Sequence, residues 1–403
     1  VTDLTVSEGV LFIDDAGLGN DALTRISLPA SLQELGGNPF FAQYNAPNAE
    51  LVITVAAGNP NFAIEPNSGA LIQNGTHLIF WPTLAARAAA VDGLLTIPNG
   101  VTHIGPRILA WNRYYDPDAG ANVHAFTRIA FPAGVTHIAD CAFYECYLES
   151  LPLPTSLTSL GLWVSFTALD LPASLAHLGG HPCPTRAISV DAGNPHFRMA
   201  DGYLLNSAGD VLYAAANAEP PPGGRRGVPN MPASVKRIAP LAMYGEDVSG
   251  MVLPAGLKTI DDGAFADSFG WPVAPTQLPN SITTIGENAF IDTDFDGALP
   301  TSLNTLGRYA FALFFPPEHF DTPLTNIVTP PGLKEIPEGC FARLPGYPKL
   351  NLTLSEGLEV IGKNAFRCAG LSTVFVAGLA AKHGRHRLLG TCHMGRHLAA
   401  DRL

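Results

Sequence analysis

The chain writes LPASLQELGG at 28–37 and LPASLAHLGG at 171–180. A single duplicated loop would stop there, whereas a repeat architecture has to recur. The pattern returns in IPNGVTHIG (97–105), FPAGVTHIA (131–139), LPTSLTSLG (153–161) and MPASVKRIA (231–239). It returns again in LPAGLKTID (253–261), LPNSITTIG (278–286), LPTSLNTLG (299–307), TPPGLKEIP (329–337) and LSEGLEVIG (354–362). With VSEGVLFID (6–14) there are 12 copies, most often 18 to 25 residues apart, and the gaps of 69 and 60 residues are close to three units each. Self-similarity at this period is the mark of a solenoid, in which each unit covers its neighbour's apolar face.

The stretches upstream of the Leu-Pro pairs alternate apolar and polar residues, as in LTRISLP (23–29), FTRIAFP (126–132) and FTALDLP (166–172). Period two is strand spacing, and a Pro after the last inward residue ends the strand where no ladder N–H is lost. A turn marked by Gly or Ser follows, then a second apolar pair such as Leu257 and Ile260. Many copies continue into a small residue and Phe: Ala142-Phe143, Ala264-Phe265, Ala289-Phe290, Ala310-Phe311, Cys340-Phe341 and Ala365-Phe366. The expected fold is a β-rich solenoid, a right-handed coil with one short strand per turn of about 23 residues. One turn alone buries too little to offset its ordering, so stability is a sum over neighbouring turns.

LPAGLKTIDDGAF, LPNSITTIGENAF and LSEGLEVIGKNAFRCAGLSTV closely resemble the BspA-type (treponemal-type) leucine-rich repeats. ITVAAGNPNF (53–62) and ISVDAGNPHF (188–197) resemble that family's divergent Asn-Pro module, each followed by a hairpin-like stretch at 69–82 and 201–214. The resemblance covers roughly 6–376. It implies a leucine-rich repeat solenoid over 1–376, divergent modules near 52–96 and 187–230, and a separate tail or cap at 377–403. Proteins resembling this family are often bacterial surface molecules implicated in attachment, so the resemblance implies a secreted, periplasmic or cell-surface location. Such a fold hosts many binding roles and does not fix one.

Composition narrows the classes. Charged residues are 14% and the formal net charge is −12, which points away from nucleic acid. The exception is 377–403, where Lys382, Arg385, Arg387, Arg396 and Arg402 outweigh Asp401. No apolar run reaches the ~20 residues of a membrane span. No export signal is visible, and the start at Val1 is that expected of a trimmed mature form. Six cysteines are too few for a disulfide scaffold. Cys146 and Cys368 are expected as buried thiols, with no disulfide caps flanking the repeats.

Four constellations carry chemistry-bearing residues. DTDFDG (292–297) has the first half of a calcium loop in Asp292, Asp294 and Asp296, but Leu303 stands where the bidentate Glu belongs. The favoured reading is a solvated inter-turn loop, with the three carboxylates kept as weak metal candidates. The tail's His383, His386, Cys392, His393 and His397 are zinc-ligand types without a standard zinc spacing, and a terminal cap is the expectation. Glu318-His319 and Asp261-Asp262 form no catalytic arrangement, the latter expected to be solvated. No GxSxG, HExxH, P-loop or strand-to-helix GxGxxG occurs, so neither an enzyme nor a cofactor is expected.

The informative places are breaks in the period. Residues 106–126 insert Trp111, Arg113, Tyr114, Tyr115, Asp116 and Asp118, while 268–275 and 311–323 add Trp271 and Phe315 outside the template. Insertions in solenoids map to loops on a binding face, and aromatics within a polar rim are interface anchors. The expected function is non-enzymatic, adhesin-like recognition of a protein or other macromolecule, host matrix included. The alternative is an apolar small-ligand or lipid carrier, or an oligomeric structural protein, motivated by low charge and mildly positive mean hydropathy.

Overall fold

The computed structural model describes residues 2–376, except 20–21, 38, 41–50, 111–112, 117, 119–120, 165–167, 184–186, 217–229, 250, 272–277, 296 and 317–324. The 377–403 segment, with its candidate zinc ligands, lies outside the described residues, as do Glu318 and His319. The chain divides into two compact units, Val1–Arg198 and Met199–Leu403. It is a β-solenoid of about 13 turns, with one short helix, Thr83–Ala89, among the described residues.

In the first unit, Asp3–Thr5, Arg25–Leu28 and Val52–Val55 pair in parallel, with Leu4 opposite Ile26 and Ile26 opposite Ile53. Arg25–Leu28 is an alternating stretch that ends at Leu-Pro, whereas Asp3–Thr5 runs into the Pro-less VSEG copy and Val52–Val55 into the AGNP module. A second ladder follows the Gly/Ser turn: Phe12–Ile13 pairs with Glu34–Leu35, and His103–Ile104, His137–Ile138, Ser159–Leu160 and His177–Leu178 stack in parallel. Several turns contribute to two ladders, one before the Pro and one after it, but no strand precedes Pro154, Pro254, Pro279 or Pro300 among the described residues. The second unit repeats the plan, with Arg237–Ile238, Thr259–Ile260, Thr284–Ile285 and Thr305–Leu306 in one parallel sheet.

The Pro-x-x-Leu motif is a turn closed by the apolar residue's N–H donating to the proline carbonyl, as from Leu257 to Pro254, Ile282 to Pro279 and Leu303 to Pro300. The Ser that alternates with Gly in this turn bridges turns. Ser156, Ser174, Ser281 and Ser302 hydroxyls donate at 2.6–2.7 Å to the carbonyls of Val135, Leu157, Leu257 and Ile282 in the turn before. The Asn of each AGNP module is a clamp. Asn59 donates its amide to Pro29 and Leu32 carbonyls at 2.7 and 3.2 Å and accepts the N–H of Asn61 and Phe62. Asn194 does the same with Pro172, Leu175, His196 and Phe197. Each clamp leads into an antiparallel hairpin, Leu71–Gln73 with His77–Phe80 and Tyr203–Asn206 with Val211–Ala215.

The Ala-Phe pairs fill the second unit's core as a column. Phe265, Phe290, Phe311, Phe341 and Phe366 stack with centroids 5.1–5.7 Å apart and planes within 12°. That spacing is one strand repeat plus an offset, so the rings stack as aromatic pairs prefer. The residue before Ala-Phe is left-handed in every such copy: φ is 54° at Asn288 and Tyr309, 56° at Asn364, 60° at Gly263 and 62° at Gly339. Asn and Gly recur there because they tolerate that conformation.

Two expectations are corrected. Cys146 is a buried thiol, but Cys368 is half-buried and disulfide-bonded. Asp261 is not simply solvated. It is half-buried, and its carboxylate accepts from Arg237 at 2.7 Å, while Asp262 accepts the Glu287 N–H.

Candidate recognition surfaces

The insertion after Leu109 forms a two-stranded antiparallel hairpin, Arg113–Asp116 with Ala121–His124. Its register sets Arg113 opposite His124, Tyr114 opposite Val123, Tyr115 opposite Asn122 and Asp116 opposite Ala121. This hairpin pairs with neither repeat ladder, forming a sheet of its own. Asp118 stands exposed at its tip. Trp111 lies outside the described residues.

Trp271 is no surface anchor: it is 4% exposed. Its ring meets Phe265, Phe290 and Phe295 at 5.2–5.6 Å, and its indole N–H donates to Ser268 at 3.1 Å. It stands outside the repeat template, but the inserted aromatic turns inward to fill the core. Phe315 does face solvent at 48% exposure. Its N–H donates to Asp292 at 3.0 Å and its carbonyl accepts from the Tyr347 hydroxyl at 2.7 Å.

Two of the DTDFDG carboxylates are spent on backbone. Asp292 accepts from the N–H groups of Phe314 and Phe315, one turn on. Asp294 accepts from Gly270 and Trp271, one turn back, at 3.2 and 3.3 Å. Burial raises the Asp292 carboxyl to about 6 against these bonds. The segment is therefore an inter-turn tie and not a solvated loop, and Leu299 and Leu303 belong to the core. Asp296 lies outside the described residues. Among the described residues no three His, Cys, Asp or Glu side chains are placed to hold a metal ion.

One surface was not anticipated from sequence. Strand register places His77, His103, His137, Ser159 and His177 in one row across the first unit's sheet. The first three rings stack at 4.2 and 4.3 Å with planes within 14°. Each ring's Nδ1 meets the hydroxyl of the preceding Thr, at 3.0 Å for Thr76 and 2.8 Å for Thr102 and Thr136. Burial and the two flanking imidazoles hold His103 below the ordinary histidine range. The signal was present as THL at 76–78 and THI at 102–104 and 136–138. In the second unit the corresponding row is Arg237, Thr259, Thr284 and Thr305.

A family model described as a BspA type leucine rich repeat region matches in six copies, over residues 118–177, 229–316 and 299–381. No curated protein matches. Similar solved structures include the pneumococcal vaccine antigen PcpA, at 17% identity over 75% of this chain and 97% of that one, with a TM-score of 0.43. A leucine-rich repeat protein from Eubacterium ventriosum shares 15% identity over 92% and 91% of the two chains, with a TM-score of 0.43. A leucine rich cell surface protein from Faecalibacterium prausnitzii shares 17% over 94% and 88%, with a TM-score of 0.31.

Proposed function

Because this chain belongs to the BspA-type leucine-rich repeat family, whose repeats are generally binding or structural modules, we propose that it is a non-enzymatic recognition protein. Its partner is a protein or other macromolecule, host matrix proteins included, and it acts as an adhesin-like molecule that is secreted or held at a bacterial surface. No helix among the described residues is long and apolar enough to cross a membrane.

The observation that carries this reading is the hairpin Arg113–Asp116 with Ala121–His124, which leaves the repeat template and pairs with neither ladder. It brings Arg113, Tyr114, Tyr115 and Asp116 onto one short element beside the exposed Asp118, the residue mix of an interface anchor. The test is capture from matrix extract and serum by the folded chain, with and without residues 111–118. Loss of the captured partner, with the circular dichroism unchanged, supports the reading. Undiminished capture removes the hairpin as the anchor.

A specific observation favours a second reading, an apolar-ligand carrier or an oligomer. Val360, Ile361 and Phe375 on the last described turns are 47%, 41% and 53% exposed. Native mass spectrometry separates the readings: a retained lipid or a fixed oligomer favours the second, and a bare monomer the first.

A further inference from the structure

The second unit holds a hollow of about 200 Å³, lined by Tyr309, Phe314, Glu338, Lys363, Asn364 and Arg367. No repeat requirement explains this combination. Tyr309 occupies the left-handed position before Ala-Phe, at φ 54°, where the neighbouring turns place Asn288, Gly339 and Asn364. A bulky side chain there is strained by about 1–2 kcal/mol, a cost that Leu241 also bears at φ 57°. The next turn accommodates the ring through Gly339, where an added Cβ would come within 1.9 Å of a Tyr309 ring carbon. The bulky-over-glycine arrangement occurs once more at Leu241 and Gly263, so packing explains the glycine. It does not explain the charges gathered around Tyr309.

The two rings make an angled apolar corner, with centroids 6.1 Å apart and planes 54° apart. Lys363 and Arg367 stand exposed on one side and Glu338 is half-buried beneath. Among the described residues neither cation nor Glu338 takes part in an ion pair. Two cations against one carboxylate favour an anionic group. Glu338 asks for a hydrogen-bond donor, which a bare phosphate or sulfate does not offer, and the Asn364 amide can both donate and accept. The aromatic corner asks for an apolar face. Drug-sized pockets run to about 300–1,000 Å³, so this hollow suits a single ring.

We propose that this hollow binds one carboxylate-bearing sugar residue. The carboxylate meets Lys363 and Arg367, the hydroxyls meet Glu338 and Asn364, and the C–H face of the ring lies on Tyr309 and Phe314. The site is independent of the hairpin at 113–124, so failure here leaves the capture experiment's answer standing, and the reverse also holds.

The test is saturation-transfer NMR and calorimetry on the full chain with glucuronate, N-acetylneuraminate, glucose and free phenylalanine as probes. A carboxylated sugar is expected to bind weakly, with Kd of about 1 mM. Glucose is expected to bind at least about tenfold more weakly. Arg367→Gln and Tyr309→Asn are expected to weaken the carboxylated sugar by a similar factor. Tyr309→Asn places at this position the residue that neighbouring turns already use, so its thermal midpoint is not expected to fall. Equal binding of glucose, binding of phenylalanine alone, no binding by any probe, or undiminished binding by both variants would each overturn the proposal.

Discussion

At the scale of single residues, the left-handed position before Ala-Phe separates two costs that are usually mixed. Gly339 and Gly134 both have positive φ, 62° and 106°, but an added Cβ meets the Tyr309 ring at Gly339 and nothing within 4 Å at Gly134. Gly134→Ala should therefore lose about 1 kcal/mol, from backbone strain alone. Gly339→Ala should lose about 2–4 kcal/mol, strain plus collision. The excess should disappear in Gly339→Ala combined with Tyr309→Asn, a cycle read by urea unfolding. Asp292 gives a second residue-scale prediction. Its carboxyl is raised to about 6 by burial, so the folded state holds that proton more tightly than the unfolded chain. Its stabilising share is complete below pH ~4 and is lost as pH rises through about 6. Asp292→Asn keeps an acceptor for Phe314 and Phe315 and suits φ 52°. At pH 7 the variant should be about 1–3 kcal/mol more stable than the parent, and no more stable at pH 4. Sequence spacing could show three aspartates. It could not show that two of them reach across turns to backbone N–H groups.

At the scale of elements, alternation before the Pro made Arg25–Leu28, Arg128–Ala130 and Leu169–Leu171 legible as strands, but the described residues just before Pro254, Pro279 and Pro300 form none. The second ladder was not legible as strand, because its members are two residues long and carry no measurable period. Trp271 was misplaced for a related reason: a residue outside the template has no expected direction, and burial decided it. The Asn-Pro modules were recognisable as pattern, but their cause is the four-bond clamp. Removing it in Asn59→Ala leaves the N–H groups of Asn61 and Phe62 and two carbonyls to find other partners. That should cost about 2–4 kcal/mol, measurable as a lower urea midpoint with an unchanged slope. The imidazole row makes the first unit's sheet acid-sensitive. His103 is held below its ordinary range by burial and by His77 and His137, so the unfolded chain takes up its proton first. Stability present above pH ~6.5 should decline as pH falls below it. His103→Ser should flatten that decline between pH 7 and 5, followed by the thermal midpoint.

At the scale of the whole molecule, nearest-neighbour stacking makes the turn the unit of change. Removing residues 278–298, one full period from Leu278 to the residue before Leu299, should keep the β-type circular dichroism and a cooperative transition. The deletion joins Phe265 to Phe311 as stacking neighbours. Removing 278–288 alone should abolish cooperativity, because it leaves a Phe without the Leu and Ile layer of its own turn. The fold class was readable at this scale because twelve copies average out local irregularity. The candidate surfaces were less readable, because the hairpin and the aromatic corner each occur once.

The serine bridges carry a further consequence. Each hydroxyl reaches back to the turn made before it, as from Ser302 to Ile282 and from Ser281 to Leu257. A new turn thus brings its own fastener, and the older turn needs no alteration to receive it. Lineages could lengthen or shorten such a protein by unequal crossing-over within its gene, one period at a time, leaving every joint already fitted.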